Sequence, residues 1–201
     1  MNSRAIIYIV DDDEGVRRSL NLMMQSVGLK AKCYATAQRF LKDVDPSHPG
    51  CVVLDVRMPD MSGLVLQQEL NKRRIRLPVI IITGHADVPM AVSAMKAGAL
   101  DFIEKPFRDQ ALLDSIYRAI AECSRILEEQ QQQTDINRLV DLLSHREREV
   151  MDLLVEGRGS KQIAAELNIS SKTVDVHRGH ILEKMGVRSV VELVRLVMAG
   201  A

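Results

Sequence analysis

Three cysteines in 201 residues, Cys33, Cys51 and Cys123, lie far apart with no paired spacing, which argues against a disulfide framework or a zinc site. Charge of one sign is missing too. Lys+Arg and Asp+Glu number 27 each, so the chain as a whole advertises neither nucleic acid nor a membrane surface as partner, and any such function has to be local. No apolar stretch approaches spanning length, and the start "MNSRAIIYIVDDD" runs into acids too soon to serve as a signal-peptide core. The expected setting is the reducing cytoplasm, with no membrane partner. Glycine and proline are absent from Asp109 to Glu156, so nothing there breaks a helix.

What is present is globular composition, 46% hydrophobic and 27% charged, over a length that suits two small domains. As far as about residue 107, "AIIYIV", "LKAKCYA", "CVVLDV", "PVIIIT" and "LDFIEKP" alternate with helical segments such as "GVRRSLNLMMQSVG" and "VPMAVSAMKAGA". Strands alternating with helices predict a parallel sheet covered on both faces. Gly28 and Gly98 stand where helices should stop. Leu113, Ile116, Ile120, Cys123 and Leu127 then recur at spacings of three and four before the polar "EEQQQQT". Two readings of that stretch stay open: a helix that runs on as a stalk, or one that ends near Leu127 ahead of a flexible linker. After residue 140 the pattern turns to short helices without strands, the first opened by "SHRE", with Ser144 as N-cap and Glu147 closing a capping box.

The run "CVVLDVRMPDMSG" poses a question of charge, because four core-type residues lead to a lone carboxylate, Asp55. In an open α/β sheet, ligands bind beyond the carboxyl ends of the strands. Asp11, Asp12 and Asp13 follow the first strand, Asp55 ends the third, Thr83 the fourth and Lys105 the fifth. Taken alone, each acid is an ordinary loop or capping residue, Asp13 and Asp60 above all. Together they form a site. Carboxylates about 4 Å apart repel by roughly 4 kcal/mol at an effective dielectric near 20, and a hard oxygen cluster of that kind suits Mg²⁺. A carboxylate held beside a metal and a lysine is also placed to attack a phosphoryl group, with Lys105 and Thr83 contacting its oxygens.

The segments "VDDDEGVR", "LDVRMPDMSG", "IIITGHADV" and "DFIEKPF" resemble the signatures of the bacterial response-regulator receiver domain. The resemblance implies a flavodoxin-like (βα)5 fold in which Asp55 accepts a phosphoryl group from a cognate sensor histidine kinase. It implies a Mg²⁺ pocket of Asp11, Asp12, Asp55 and the backbone carbonyl of Arg57, a switch pair of Thr83 and Phe102, and a cis Lys105-Pro106 bond. Phe102 departs from the commoner tyrosine, so its switching involves ring burial and no hydrogen bond.

In the second half, "SKQIAAELNISSKTVDVHRGHILEKMG" offers a short helix, a tight turn at Asn168, a cap at Ser170 and a second helix. Val174, Ile181, Leu182 and Met185 make one inward face of that second helix, leaving Lys172, Thr173, Val176, Arg178 and His180 outward. Residues 158 to 188 hold six Lys or Arg against three acids, a local excess that the overall balance conceals. The stretch "LSHREREVMDLLVEGRGSKQIAAELNISSKTVDVHRGHILEKMGVRS" resembles the LuxR-type helix-turn-helix of the LuxR and FixJ regulators. That resemblance implies an all-α four-helix domain that sets Lys161, Lys172, Thr173, Val176, His177 and Arg178 against double-stranded promoter DNA. Asp175 and Gly179 stand where some relatives carry lysine. The expected plan is a receiver over residues 1–121, a helical linker over 122–139 and the DNA-binding domain over 140–201. A homodimer formed on phosphorylation and RNA polymerase are the further partners expected. Apolar excess on the last helix, at Val191, Leu196 and Met198, suits a two-fold partner helix or burial against the receiver. An enzyme acting through an aspartyl-phosphate would usually carry a second acid two residues after the nucleophile, where this chain has Arg57; no turnover of an external substrate is expected. A receiver that has lost phosphate acceptance is the other rival, and the complete Asp, Thr and Lys set counts against it.

Overall fold

Aliphatic and β-branched runs build β1 (Ile6–Val10), β2 (Lys30–Tyr34), β3 (Gly50–Asp55), β4 (Val79–Thr83) and β5 (Asp101–Glu104), which pair as one parallel sheet in the order β2-β1-β3-β4-β5. The computed structural model describes residues 5–199, which divide into two compact units after Leu127. In the first unit α1 (Glu14–Ser26), α2 (Ala37–Asp43), α3 (Gly63–Lys72), α4 (Val88–Lys96) and the start of α5 (Asp109–Asp141) alternate with the strands. Successive strand residues face opposite layers, as a period of two requires. Tyr8, Val10, Val52, Leu54 and Ile81 pack with Phe40, Leu66 and Leu70 of α2 and α3. Ile7, Ile9, Val53, Ile80 and Ile82 pack with Leu20 and Met24 of α1 and with Leu112 and Ile116 of α5. All of β3 and β4 is buried, whereas β2 lies at the edge with Lys30 and Lys32 exposed, a charge pattern that discourages pairing with another chain.

Local chemistry sets the helix ends. The side chains of Asp13, Thr36, Ser62 and Asp87 cap α1 to α4. Gly28 and Gly98 take φ of +73° and +90°, the left-handed backbone that ends a helix. Gly63 answers a different need. A Cβ there would lie 2.2 Å from the carbonyl oxygen of Asp55, so glycine lets α3 begin directly against the end of β3.

The question left open after Leu127 is answered by a helix: α5 runs unbroken for 33 residues. Its polar stretch is held by side chains four residues apart, with Gln131 donating to Asp135 and Gln133 to Asn137, both at 3.0 Å. Glutamate and glutamine are good helix formers and need no buried face to stay helical.

The second unit completes itself with α6 (His145–Val155), α7 (Ser160–Glu166), α8 (Ser171–Lys184) and α9 (Val190–Ala199). Val150, Ile163, Val174, Ile181, Met185 and Leu193 form its core. Both bonds of the capping box are made: Glu147 N–H donates to Ser144 Oγ, and Ser144 N–H donates to the Glu147 carboxylate at 2.7 Å. Asn168 turns the chain at φ +54°, and Ser170 caps α8 by accepting from Thr173 N–H at 3.0 Å. No helix among the described residues is long and apolar enough to cross a membrane.

The contact beneath Gly63 can be tested directly. Gly63→Ala forces a methyl group against the Asp55 carbonyl, and overpacked sites of this kind lose about 1–3 kcal/mol. Urea unfolding of the full chain should show a loss of about 2 kcal/mol; unchanged stability would mean that the Asp55 backbone has room to retreat.

Candidate functional site

Three strand ends meet at one lysine. Asp11, just past β1, accepts from Lys105 Nζ at 2.7 Å through Oδ2, and Asp55, the last residue of β3, accepts from the same nitrogen at 2.8 Å through Oδ1. Asp11 is 1% and Asp55 6% exposed, so the pair is a buried one. The remaining oxygens are held by backbone: Asp13 N–H donates to Asp11 Oδ1 at 2.9 Å, and Arg57 N–H to Asp55 Oδ2 at 2.6 Å. Lys105 follows β5, its own N–H bonded to the Thr83 carbonyl at 2.7 Å, and its bond to Pro106 is cis. Burial raises the pKa of Asp11, an effect that bonds from Lys105 and Asp13 only partly offset and that the neighbouring Asp55 charge reinforces. Burial works the other way on Lys105, but its bonds to Asp11 and Asp55 prevail and hold the ammonium above its usual pKa.

The other expected residues take different places. Asp12 is exposed at the rim, and Thr83 is buried at the end of β4, where its Oγ1 accepts from His85 N–H at 3.3 Å. Phe102 is half-buried in the hydrophobic layer and takes no part in the polar cluster. Asp13 caps α1, accepting from Val16 N–H at 3.0 Å, the ordinary role that a lone acid suggests. Motif reading missed Arg17. Its Nη1 donates to the carbonyls of both Asp11 and Asp12 at 2.8 Å and so fixes the acidic loop from one turn into α1.

Among the described residues no three His, Cys, Asp or Glu side chains gather at metal-binding distance, and the Lys105 ammonium is bonded to both Asp11 and Asp55. The donors nevertheless fit a hard cation. Two buried carboxylates and one at the rim supply oxygen only, and a Mg²⁺ that keeps several of its waters needs no more than one or two of them.

In the second unit Lys161 lies exposed on α7, and Lys172, Thr173, Val176 and Arg178 lie exposed on α8. His177 is half-buried, with Nδ1 shut from solvent and without a hydrogen-bond partner, which leaves Nε2 for any polar contact. The Thr173 hydroxyl shares a hydrogen bond of 2.8 Å with Ser170 Oγ. His180 is exposed as its place on the helix predicts, yet its Nδ1 lies 3.7 Å from Glu147 Oε1, and Lys184 Nζ donates to Glu147 Oε2 at 2.7 Å. Glu147 is 4% exposed, and the Lys184 bond, with those from Ser144, holds its pKa at about 2. The capping box was legible in four residues; its link to a lysine 37 positions away was not.

Comparison with known proteins covers both units. The model of the response regulator receiver domain matches residues 7–117, and that of the bacterial regulatory proteins of the luxR family matches residues 141–197. Nodulation protein W of Bradyrhizobium diazoefficiens is 44% identical over 195 residues, 97% of this chain and 86% of that protein. Transcriptional regulatory protein FixJ of Rhizobium meliloti is 44% identical over 194 residues, 96% of this chain and 95% of that one. A solved structure of the response regulator StyR superposes with a TM-score of 0.86 at 41% identity, covering 97% of this chain and 98% of its own.

The buried Glu147 carries a pH signature. Its pKa in the folded chain is about 2 against an ordinary 4.5, so the ionised form stabilises the helical unit fully above 4.5, and that contribution is lost as the pH falls from 4.5 towards 2. Denaturant unfolding of the full chain at pH 7 and pH 3 should show the second unit weakening in acid. Glu147→Gln should lower stability at pH 7 by about 2 kcal/mol and flatten that acid slope. A slope unchanged by the substitution would place the stabilising charge elsewhere.

Proposed function

The chain belongs to the FixJ/LuxR family of transcriptional response regulators, which join a phosphorylated receiver domain to a LuxR-type DNA-binding domain, and on that premise we propose that Asp55 is the phosphoacceptor. The observation that carries this reading is the single lysine nitrogen within 2.8 Å of both Asp11 and Asp55. One Asp55 oxygen attacks the phosphorus of a phosphohistidine on the sensor kinase, the P–N bond breaks, and an acyl phosphate forms. The Lys105 ammonium transfers its hydrogen bonds to the new phosphoryl oxygens, and the Thr83 hydroxyl turns to donate to another. Receiver domains generally bind Mg²⁺ at such an acidic pocket. Here Asp11, Asp12, Asp55 and the Arg57 carbonyl would hold it, and when bound it supplies positive charge to the phosphoryl oxygens. A phosphatase acting through the same intermediate is disfavoured by Arg57, which stands where a general acid would be needed.

The readout is a change of assembly. The exposed apolar residues of α4, Val88, Val92 and Met95, lie beside β5, and Val191 and Met198 are exposed on α9. Pairing of receivers through α4 and β5 raises the local concentration of the second DNA-binding domain, and α9 supplies a matching contact between those domains. Full reversal of an inactive to an active population needs about 5.5 kcal/mol, which several charge-assisted bonds to a phosphoryl group can provide. The assembled dimer sets α8 of each copy in the major groove, with Lys161, Lys172, Thr173, Val176, His177 and Arg178 at the DNA, and acts on RNA polymerase at the promoter from the cytoplasm.

Two experiments test the two halves. Asp55→Asn should abolish labelling by a small phosphodonor in Mg²⁺, and Lys105→Ala should leave labelled protein that activates DNA binding poorly; wild-type labelling of Asp55→Asn would move the acceptor elsewhere. Sedimentation with DNA titration at fixed salt should show beryllofluoride converting the chain to a dimer that binds an inverted repeat at least tenfold more tightly. Val176→Glu should dimerise normally and fail to bind. An untreated chain that is already dimeric and binds as well would refute the coupling.

A further inference from the structure

The outward face of α8 carries an acid within its first two turns. Asp175 is exposed, and its Oδ1 accepts a hydrogen bond of 2.9 Å from Ser160 Oγ, at the start of α7. The bond comes from a different helix, so it orients the carboxylate against the scaffold and not merely against its own turn. Oδ2 has no partner among the described residues. The acid costs electrostatic affinity for phosphate wherever α8 meets DNA, so its presence needs a compensating contact.

The neighbouring positions say how close that contact comes. Val176 is 50% exposed, an apolar side chain with no core to fill. Gly179 follows on the same face, four residues after Asp175. A Cβ added at Gly179 would meet nothing within 4 Å, so packing does not demand a glycine, although a mid-helix glycine weakens the helix relative to alanine. A bare backbone beside a short apolar residue lets a groove wall come unusually near. Aspartate is short and reaches a base edge only from a near backbone. Of the other polar side chains on the helix, Thr173 Oγ1 is shared with Ser170, and His180 and Lys184 are turned to Glu147, while Lys172 and Arg178 are long and cationic, suited to phosphate.

We infer that Asp175 is a base-selecting residue of this chain, its carboxylate oriented by Ser160 to accept from the exocyclic amine of a cytosine in the major groove, with Val176 against an adjacent thymine methyl. Cytosine is the base whose major-groove edge offers a donor and no acceptor, and carboxylates pair with it for that reason. The other base edges present acceptor atoms that repel the carboxylate, so the same acid that weakens non-specific binding sharpens choice. This rests on the reading of α8 as the DNA-contacting helix and adds the base that it selects.

The test uses the full chain treated with beryllofluoride and Mg²⁺, a duplex library randomised across one half-site, and sequencing of the bound fraction. The parent should prefer a C·G pair at one position by about fivefold or more. Asp175→Asn should exchange that preference for A·T at the same position with total binding retained, since an asparagine amide pairs with adenine. Ser160→Ala should blunt the preference while thermal unfolding stays that of the parent. Retention of the parental preference by Asp175→Asn overturns the assignment, as does a parent that binds the library without favouring a C·G pair anywhere. A parent that takes up no DNA under any condition refutes the DNA-binding reading itself, and the inference with it.

Discussion

One ammonium between two buried carboxylates is the constraint around which the first unit is arranged. Strands in a sheet lie about 4.8 Å apart, so β5 stands roughly 10 Å from β3 and roughly 14 Å from β1, and only a long side chain closes that gap. The Lys105 backbone is drawn inward by its bond to the Thr83 carbonyl, and Asp11 and Asp55 supply the rest of the reach. Two carboxylates against one nitrogen still repel each other by roughly 3 kcal/mol at an effective dielectric near 20, and burial raises the cost of ionising Asp11. The cluster is therefore held together while short of positive charge. A divalent cation would relieve that shortage, and the phosphoryl group proposed on Asp55 would renew it, so a small covalent change there would be felt at the ends of β4 and β5, where Thr83 and Lys105 stand.

Much of this was legible before any geometry. Strands announce themselves by apolar runs with a period of two, and residues just past strand ends must converge in a parallel sheet, so Asp11, Asp55, Thr83 and Lys105 could be placed from order alone. Contacts that depend on three-dimensional reach were not legible. Arg17 clamps two carbonyls from inside a helix, where its spacing resembles any solvated charge, and Gly63 is explained only by the carbonyl that lies beneath it. The continuity of α5 was hidden for another reason. A helix stabilised by i, i+4 polar pairs shows no apolar stripe, and a stripe is what periodicity detects.

The helical unit repeats the same design with the signs reversed: one buried carboxylate, Glu147, gathers the Ser144 N–H, Lys184 and His180. Those bonds join the start of α6 to the end of α8, so the helix proposed to enter DNA is anchored at its far end by charge and in its middle by Val174 and Ile181. The Lys184 charge spent on this anchor is withdrawn from the DNA surface. On α8 the face left for contact carries Lys172 and Arg178 alongside Asp175 and Glu183, a balanced pair of pairs to which Lys161 of α7 adds a small positive excess.

That balance bears on how the two units work together. A DNA surface with a small positive excess gains little from counterion release, so on the proposed reading a single copy would hold DNA weakly. On the proposed coupling, affinity comes from two copies bound at once, and the linked second site contributes only when the receivers pair. A strongly basic surface would bind DNA whether or not the receiver was phosphorylated, and the switch would have little left to control. On the proposed coupling, the near-neutral contact face of α8 is what would make phosphorylation of the receiver decisive.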